Sequence, residues 1–326
     1  MVMMKKGIQA IKDTRQLKSS RSEFSVIMDS IELWQSLTHQ KYAKNTLLAF
    51  KNDWNNFILY CESHKRTVLP ASVDTVHGFI ELMAKKRKLA SLKRYIVTIG
   101  LVHRCHALPD PCAHTEIRLV MRKQRIDKYD DYNNARAFRD DHRQQLLTLF
   151  ETSPKVKDIR DMAIWSVAFE AMLKRSELSD LTVDKLETDS EGLIYITLGD
   201  RVIPLSAIAS NALQRWITIG IIDIGYIFRR IDRHSNIGVL PLDHSSIYRV
   251  FRRASEELGL PANVIFSGQS PRVGAAKDLS DAGLSISEIQ SHGRWKSPAM
   301  PAQYVGNTEK RDQEMAKFLK DKPWEN

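Results

Sequence analysis

The chain has 326 residues, of which 43% are hydrophobic and 27% charged, with 14 Gly, 11 Pro and no biased tract; such a composition builds ordinary cores and excludes disordered, collagen-like and low-complexity classes. No run of about 18 apolar residues occurs and the start lacks a signal-peptide core, which points away from membrane-spanning and secreted proteins and toward the cytoplasm. The net charge of +10 is localised, with 23 Lys and Arg against 12 Asp and Glu in residues 1–130 and 26 against 27 in the remainder, so a basic module joined to a near-neutral one is expected, with a polyanion, most commonly nucleic acid, as its partner.

In chain order, residues 1–23 are polar, lack a clean period and read as a loose, flexible arm. After Asn45, a candidate N-cap, the residues Leu47, Phe50, Trp54, Phe57, Ile58 and Cys61 fall at intervals of three and four, which predicts an amphipathic helix with Lys44 and Lys51 on its polar face. Further helices are expected from Val73 to about Ala84 and from Ser91 onward, the latter presenting Lys93 and Arg94 outward. Between them lies Lys85-Lys86-Arg87-Lys88. A charge run of this kind is usually a solvated loop, but its position before a basic helix suits general phosphate contact rather than base readout. Pro109-Asp110-Pro111 then breaks the chain before a basic helix carrying Arg118, Arg122, Lys123 and Arg125. The candidate DNA-contacting residues are therefore Lys44, Lys51, Lys85, Lys86, Arg87, Lys88, Lys93, Arg94, Arg122 and Lys123.

Asp127 to Arg136 has no apolar period and reads as a linker, which places a domain boundary near 131 between a helical domain (24–130) and a second domain (131–326). Helices are expected beyond it at about 140–152 and 157–173. Leu193 to Leu198 and Arg201 to Leu205, separated by Gly199-Asp200, predict a β-hairpin. Helices resume at about 206–217, 245–258, 271–282, 285–291 and 298–305. Ser285 with Glu288 makes a capping box, and Ser297-Pro298 reads as an N-cap followed by Pro at the first helical position. A short amphipathic helix is expected over 308–320. The fold class is mainly α, in two domains with one small sheet. Cys61, Cys105 and Cys112 are odd in number and lack the paired spacing of a zinc site, so they read as buried small hydrophobes. No metal or cofactor is indicated.

Phosphate-binding glycine loops, H-E-x-x-H, G-x-S-x-G and paired Cys motifs are absent. The informative residues lie near the C-terminus. Ser267-Gly268-Gln269-Ser270-Pro271-Arg272-Val273-Gly274-Ala275-Ala276, followed by Gly293-Arg294-Trp295 and then Tyr304, resembles the catalytic end of tyrosine recombinases, especially the Cre-like branch. Met172-Leu173-Lys174-Arg175-Ser176-Glu177-Leu178 lies where that family has its first catalytic Arg, three residues before an acidic residue. Lys44-Asn45-Thr46-Leu47 and Leu108-Pro109-Asp110-Pro111 are similar to the family's helical core-binding domain, so the resemblance covers roughly residues 24–320.

The resemblance implies a two-domain DNA clamp in which the Tyr304 hydroxyl attacks the scissile phosphate, leaving a 3′-phosphotyrosyl link and a free 5′-hydroxyl. It implies Arg272 as a phosphate clamp, Trp295 as an indole donor and Glu177 as the residue that orients the site, without metal or nucleotide. Its implied partners are double-stranded DNA with a partly palindromic site and further copies of the chain, two per site and four in a synapse tied together by the C-terminal helix. Three positions depart from the family pattern. Lys174 stands where the first Arg belongs, with Arg175 next to it, and Lys lacks the bidentate fork of a guanidinium. Gln269 stands where the family has His or Lys, and an amide cannot accept a proton at neutral pH; His292 is the nearest spare imidazole. The hairpin carries Arg201 and no Lys. Lys174-Arg175 with Glu177 also fits an exposed helix end with a local salt bridge. These departures keep open a second function, a DNA-binding regulator or accessory protein with weakened or lost chemistry, and a third, a single-site DNA relaxing enzyme.

Overall fold

The first part of the chain folds into six α-helices, α1 (Thr14–Glu23), α2 (Glu32–Leu37), α3 (Lys44–Ser63), α4 (Val73–Ala84), α5 (Leu89–Cys105) and α6 (Thr115–Asp127), and in α3 the residues of the three-and-four apolar spacing are buried. The computed structural model describes residue 8, residues 10–128 and residues 135–306, and these fall into two compact units, 8–128 and 135–306. In the first unit Trp34, Trp54, Phe57, Val76, Phe79, Ile80 and Leu92 are fully buried. All three cysteines are buried as thiols, and burial pushes Cys61 and Cys105 up to about 12.

Residues 14–23 correct the expectation of an irregular arm. Asp13 caps α1 by accepting the Gln16 N–H at 2.7 Å, and Arg21 donates to the His106 carbonyl at 2.9 Å. The following Phe24 is 1% exposed and its carbonyl accepts the Trp54 indole N–H at 2.8 Å. The helix has no apolar stripe because none of its residues is buried; caps and long-range hydrogen bonds hold it. α3 begins at Lys44 with Ala43 at the N-cap, so Asn45 sits in the first turn and does not cap. The expected boundary near 131 and the expected helix at 308–320 lie outside the described residues.

The second unit comprises α7 (Asp140–Phe150), α8 (Val156–Glu170), α9 (Arg175–Ser179), β1 (Leu186–Thr188), β2 (Ile194–Leu198), β3 (Arg201–Pro204), α10 (Ala207–Gly220), β4 (Arg229–Ile231), β5 (Ile237–Pro241), α11 (His244–Glu257), α12 (Ser270–Asp281), α13 (Ile286–His292) and α14 (Ala299–Tyr304). α8 is its central helix, with twelve of fifteen residues buried; its buried charges Asp158, Arg160 and Asp161 are met by ion pairs among themselves and with Arg253. The predicted hairpin is β2–β3 of a three-stranded antiparallel sheet ordered β1–β2–β3, and β4 and β5 form a separate antiparallel pair. β1 and β4 are three residues each, too short for an alternating pattern to register. Ser285 and Glu288 form the predicted capping box, whereas Pro298, not Ser297, occupies the N-cap of α14.

The residues leading into α7 support α12. Phe138 N–H donates to the Ser270 carbonyl at 3.0 Å. A Cβ at Gly274 would stand 1.7 Å from the Phe138 carbonyl oxygen, so only glycine fits there. Arg139 pairs with Asp278 and Asp281 on the same helix.

Candidate active site

Three segments meet at the N-terminus of α12. Ser270 Oγ accepts the Ser267 N–H at 2.8 Å and Pro271 opens the helix, where its missing N–H costs nothing. Arg272 follows in the first turn and is 1% exposed. Its guanidinium donates to the Met172 carbonyl and, at 2.7 Å, to the Gly293 carbonyl, and stands 4.6 Å from the centroid of the Trp295 ring. Burial first, and then the neighbouring Arg294, pull it down to about 10, so it remains a cation at neutral pH. Among the described residues no carboxylate pairs with it directly, which leaves its charge available to an anion.

Tyr304 ends α14 and is 4% exposed. Its hydroxyl oxygen accepts the Gln269 side-chain N–H at 2.8 Å. Its ring meets Trp295 edge to face, with centroids 5.7 Å apart. Trp295 thus carries Arg272 against its face and Tyr304 beside it. The indole reaches this position because Gly293 has no side chain: a Cβ there would stand 1.9 Å from the ring.

The Lys174 to Glu177 segment forms the third wall. Left-handed Met172, at φ 46°, ends the α8 region and directs the chain into α9. Glu177 Oε2 accepts the Lys174 backbone N–H and its Oε1 the Lys174 ammonium, both at 2.8 Å. Arg294 donates to Oε2 at 2.8 Å. Burial raises the Glu177 pKa, but these hydrogen bonds outweigh it and bring the carboxyl down to about 2. Lys174 is thereby occupied by Glu177. Arg175 lies along the other side, its stem over Gly268, where a Cβ would stand 2.4 Å from Arg175 Cγ.

The structure therefore brings together Tyr304, Gln269, Arg272, Trp295, Glu177, Lys174 and Arg175. Arg201 donates to the Ser291 carbonyl at the end of α13, which also accepts the Arg294 backbone N–H at 3.1 Å. His292 ends α13 in an exposed position. Arg294, which the sequence offers only as the middle residue of Gly293-Arg294-Trp295, joins Glu177 to the end of α8. Among the described residues no group of three or more His, Cys, Asp or Glu is arranged to hold a metal ion.

In the first unit, Lys44, Lys85, Lys86, Arg87, Lys88, Lys93, Arg122 and Lys123 are exposed. Burial first, and then Arg125, lower the Lys93 pKa. Three candidates are engaged within the protein: Lys51 donates to the Asp29 carbonyl at 2.9 Å, Arg94 grips the buried Asp53 through two hydrogen bonds of 2.6 and 2.8 Å, and Arg87 hydrogen-bonds the Tyr95 side chain. Among the described residues no helix is long and apolar enough to cross a membrane.

The phage integrase family pattern matches residues 136–311. The chain is 25% identical over 308 residues to the recombinase cre of Escherichia phage P1, covering 86% of this chain and 90% of that protein. It is 27% identical over 316 residues to an integrase/recombinase xerD homolog of Selenomonas ruminantium, covering 91% and 92%. Among solved structures, the XerH site-specific recombinase bound to a palindromic difH substrate in a post-cleavage complex superposes with a TM-score of 0.60 at 12% identity, covering 96% of this chain and 91% of that one.

Proposed function

The chain belongs to the phage integrase family of tyrosine recombinases, and from that membership we propose that it breaks and rejoins duplex DNA at a specific site through a covalent bond between Tyr304 and a 3′ phosphate. The observation that carries the proposal is the arrangement around Trp295, with the Arg272 cation 4.6 Å from the ring centroid and Tyr304 5.7 Å away on the same ring. A phosphate between them meets a nucleophile and a buried positive charge together.

In this reading the Tyr304 oxygen attacks phosphorus as its proton passes to water. The bond to the 5′ oxygen breaks, and that oxygen takes a proton from solvent. Arg272 offsets the charge that gathers on the non-bridging oxygens, the term that dominates such reactions. Gln269 has no base to offer, but its amide N–H already donates to the Tyr304 oxygen and would favour the phenolate as the proton leaves. Trp295 packs the nucleophile and contributes an indole donor. Arg175, beside Gly268, adds positive charge, and Glu177 orients the segment that bears it. The exposed cations of α3 to α6 would hold the DNA backbone without reading sequence. A partly palindromic site, two copies per site and four in a synapse complete the reading, and the palindromic substrate of the XerH complex supports the first of these.

A second reading is favoured by Arg201, which is turned to Ser291, and by Lys174, which is occupied by Glu177: a DNA-binding protein of the same fold whose chemistry is weakened or lost. A nicked suicide duplex carrying the target site separates the two. Strand cleavage predicts a covalent adduct from the native protein and none from Tyr304→Phe. A footprint on that site without any adduct would establish the binding protein instead.

A further inference from the structure

Arg294 is the most heavily anchored cation beside Arg272. It holds a left-handed backbone conformation, φ 54°, which disfavours any residue with a Cβ. One terminal nitrogen donates to the Ala171 carbonyl at 2.9 Å and to the His292 carbonyl at 3.4 Å. The other donates to the Met172 carbonyl at 3.0 Å and to Glu177 Oε2 at 2.8 Å. The Met172 carbonyl also accepts from Arg272, so two guanidinium groups share one acceptor just beyond the end of α8, where the helix dipole favours cations. The Arg294 Nε–H is buried with no hydrogen-bond partner. An unsatisfied buried donor and a strained backbone together argue against a residue that merely fills surface.

The Lys174 ammonium engages Glu177 Oε1 alone. A guanidinium at that place could engage both carboxylate oxygens, whereas here the side-chain contact to Oε2 comes from Arg294. We propose that Arg294 is a positioning residue for strand cleavage: it supplies the guanidinium contact to Glu177 that Lys174 does not make, and through the shared Met172 carbonyl it fixes where Arg272 stands. The proposal rests on the strand-cleaving reading above.

The test is a double-substitution cycle of Arg294→Gly and Lys174→Arg, with Arg294→Lys as a third variant. Glycine suits the left-handed turn, so the substitution adds no backbone strain. The readouts are single-turnover adduct formation on the nicked duplex at saturating protein, DNA affinity, and titration of the Glu177 carboxyl carbon by NMR. Arg294→Gly should lower the cleavage rate about thirtyfold to hundredfold while DNA affinity changes by less than about twofold. Arg294→Lys should recover less than about threefold, because an ammonium cannot serve both acceptors. With Lys174→Arg in place, Arg294→Gly should cost less than about fivefold, since the pair then act as one unit. An equal loss in both backgrounds, or a loss confined to affinity, would overturn the proposal. If the native protein forms no adduct, the cleavage reading is what fails, and the titration still judges Arg294. Glu177 faces the cations Lys174, Arg294 and Arg272; Arg294→Gly should move its titration upward from about 2, and Lys174→Arg should reverse the change. A titration indifferent to Arg294 refutes its hold on Glu177.

Discussion

Lys85, Lys86 and Lys88 of the first unit are exposed and have no ion-pair partner among the described residues, whereas Arg272 of the second is 1% exposed and held by two carbonyls and an indole face. The same formal charge acts differently in the two settings. A solvated ammonium interacts with DNA through a high dielectric and is screened by salt. A desolvated guanidinium of fixed direction needs no reorganisation when charge develops beside it. The first arrangement favours affinity and the second favours chemistry. Arg94 shows that position in the chain alone does not decide the class, because it lies in the basic unit yet is committed to Asp53.

The sharpest way to break this contrast is Arg272→Ala. It should slow adduct formation by about a hundredfold to a thousandfold with target affinity nearly unchanged, as gel shifts alongside single-turnover kinetics would reveal. Arg272→Lys should fail almost as badly, because one ammonium cannot reach both the Met172 and Gly293 carbonyls. Converting Lys85, Lys86 and Lys88 together to Ala should do the reverse: weaker binding, a salt-dependence slope reduced by up to about three, and an unaltered cleavage rate at saturation. A change in that rate would mean the run acts beyond phosphate contact. Arg94→Ala should cost roughly 2 kcal/mol of stability in urea unfolding, since it leaves Asp53 buried without its cation, while Lys93→Ala should leave stability nearly constant.

The smallest effect concerns acid. Glu177 is held down to about 2 in the folded protein, below its unfolded value of about 4.3. Its stabilising contribution is therefore complete above pH 4.3, declines as pH falls toward 2 and vanishes below. Comparing Glu177→Gln with the native protein should give a stability difference on the order of 1 kcal/mol near neutrality that narrows across that window. A difference independent of pH would place the effect in packing instead.

The stripe from Leu47 to Cys61 made α3 legible because those residues are the buried ones, and a strict period of three and four is the mark of a helix with one face in the core. α1 offered no such stripe, since its stability comes from Asp13, Arg21 and contacts with residues far along the chain. β4 and β5 escaped notice because the turn between them depends on Asp232 accepting from the His234 and Asn236 backbones, which no alternation announces. At the site, the spacing of Arg272, Trp295 and Tyr304 was readable. The withdrawal of Lys174 by Glu177, the lie of Arg175 over Gly268 and the convergence of Arg294 on the end of α8 depend on side-chain direction, and a shift of one residue turns a helix by about 100°. Arg201 shows the same limit, for a strand assignment says on which face a residue stands and not that it will reach Ser291.

Phe138 and Arg139 bear on how this protein can be divided. They precede the first helix of their unit, yet one closes against Gly274 and the other pairs with Asp278 and Asp281. A fragment begun at Asp140 would keep every helix and strand of the second unit and lose the backing of the helix that presents Arg272. A division of the chain that keeps this support therefore falls before residue 138. A cut placed after Arg139 would deprive α12 of the Phe138 backbone that closes against Gly274 and of the Arg139 side chain that pairs with Asp278 and Asp281.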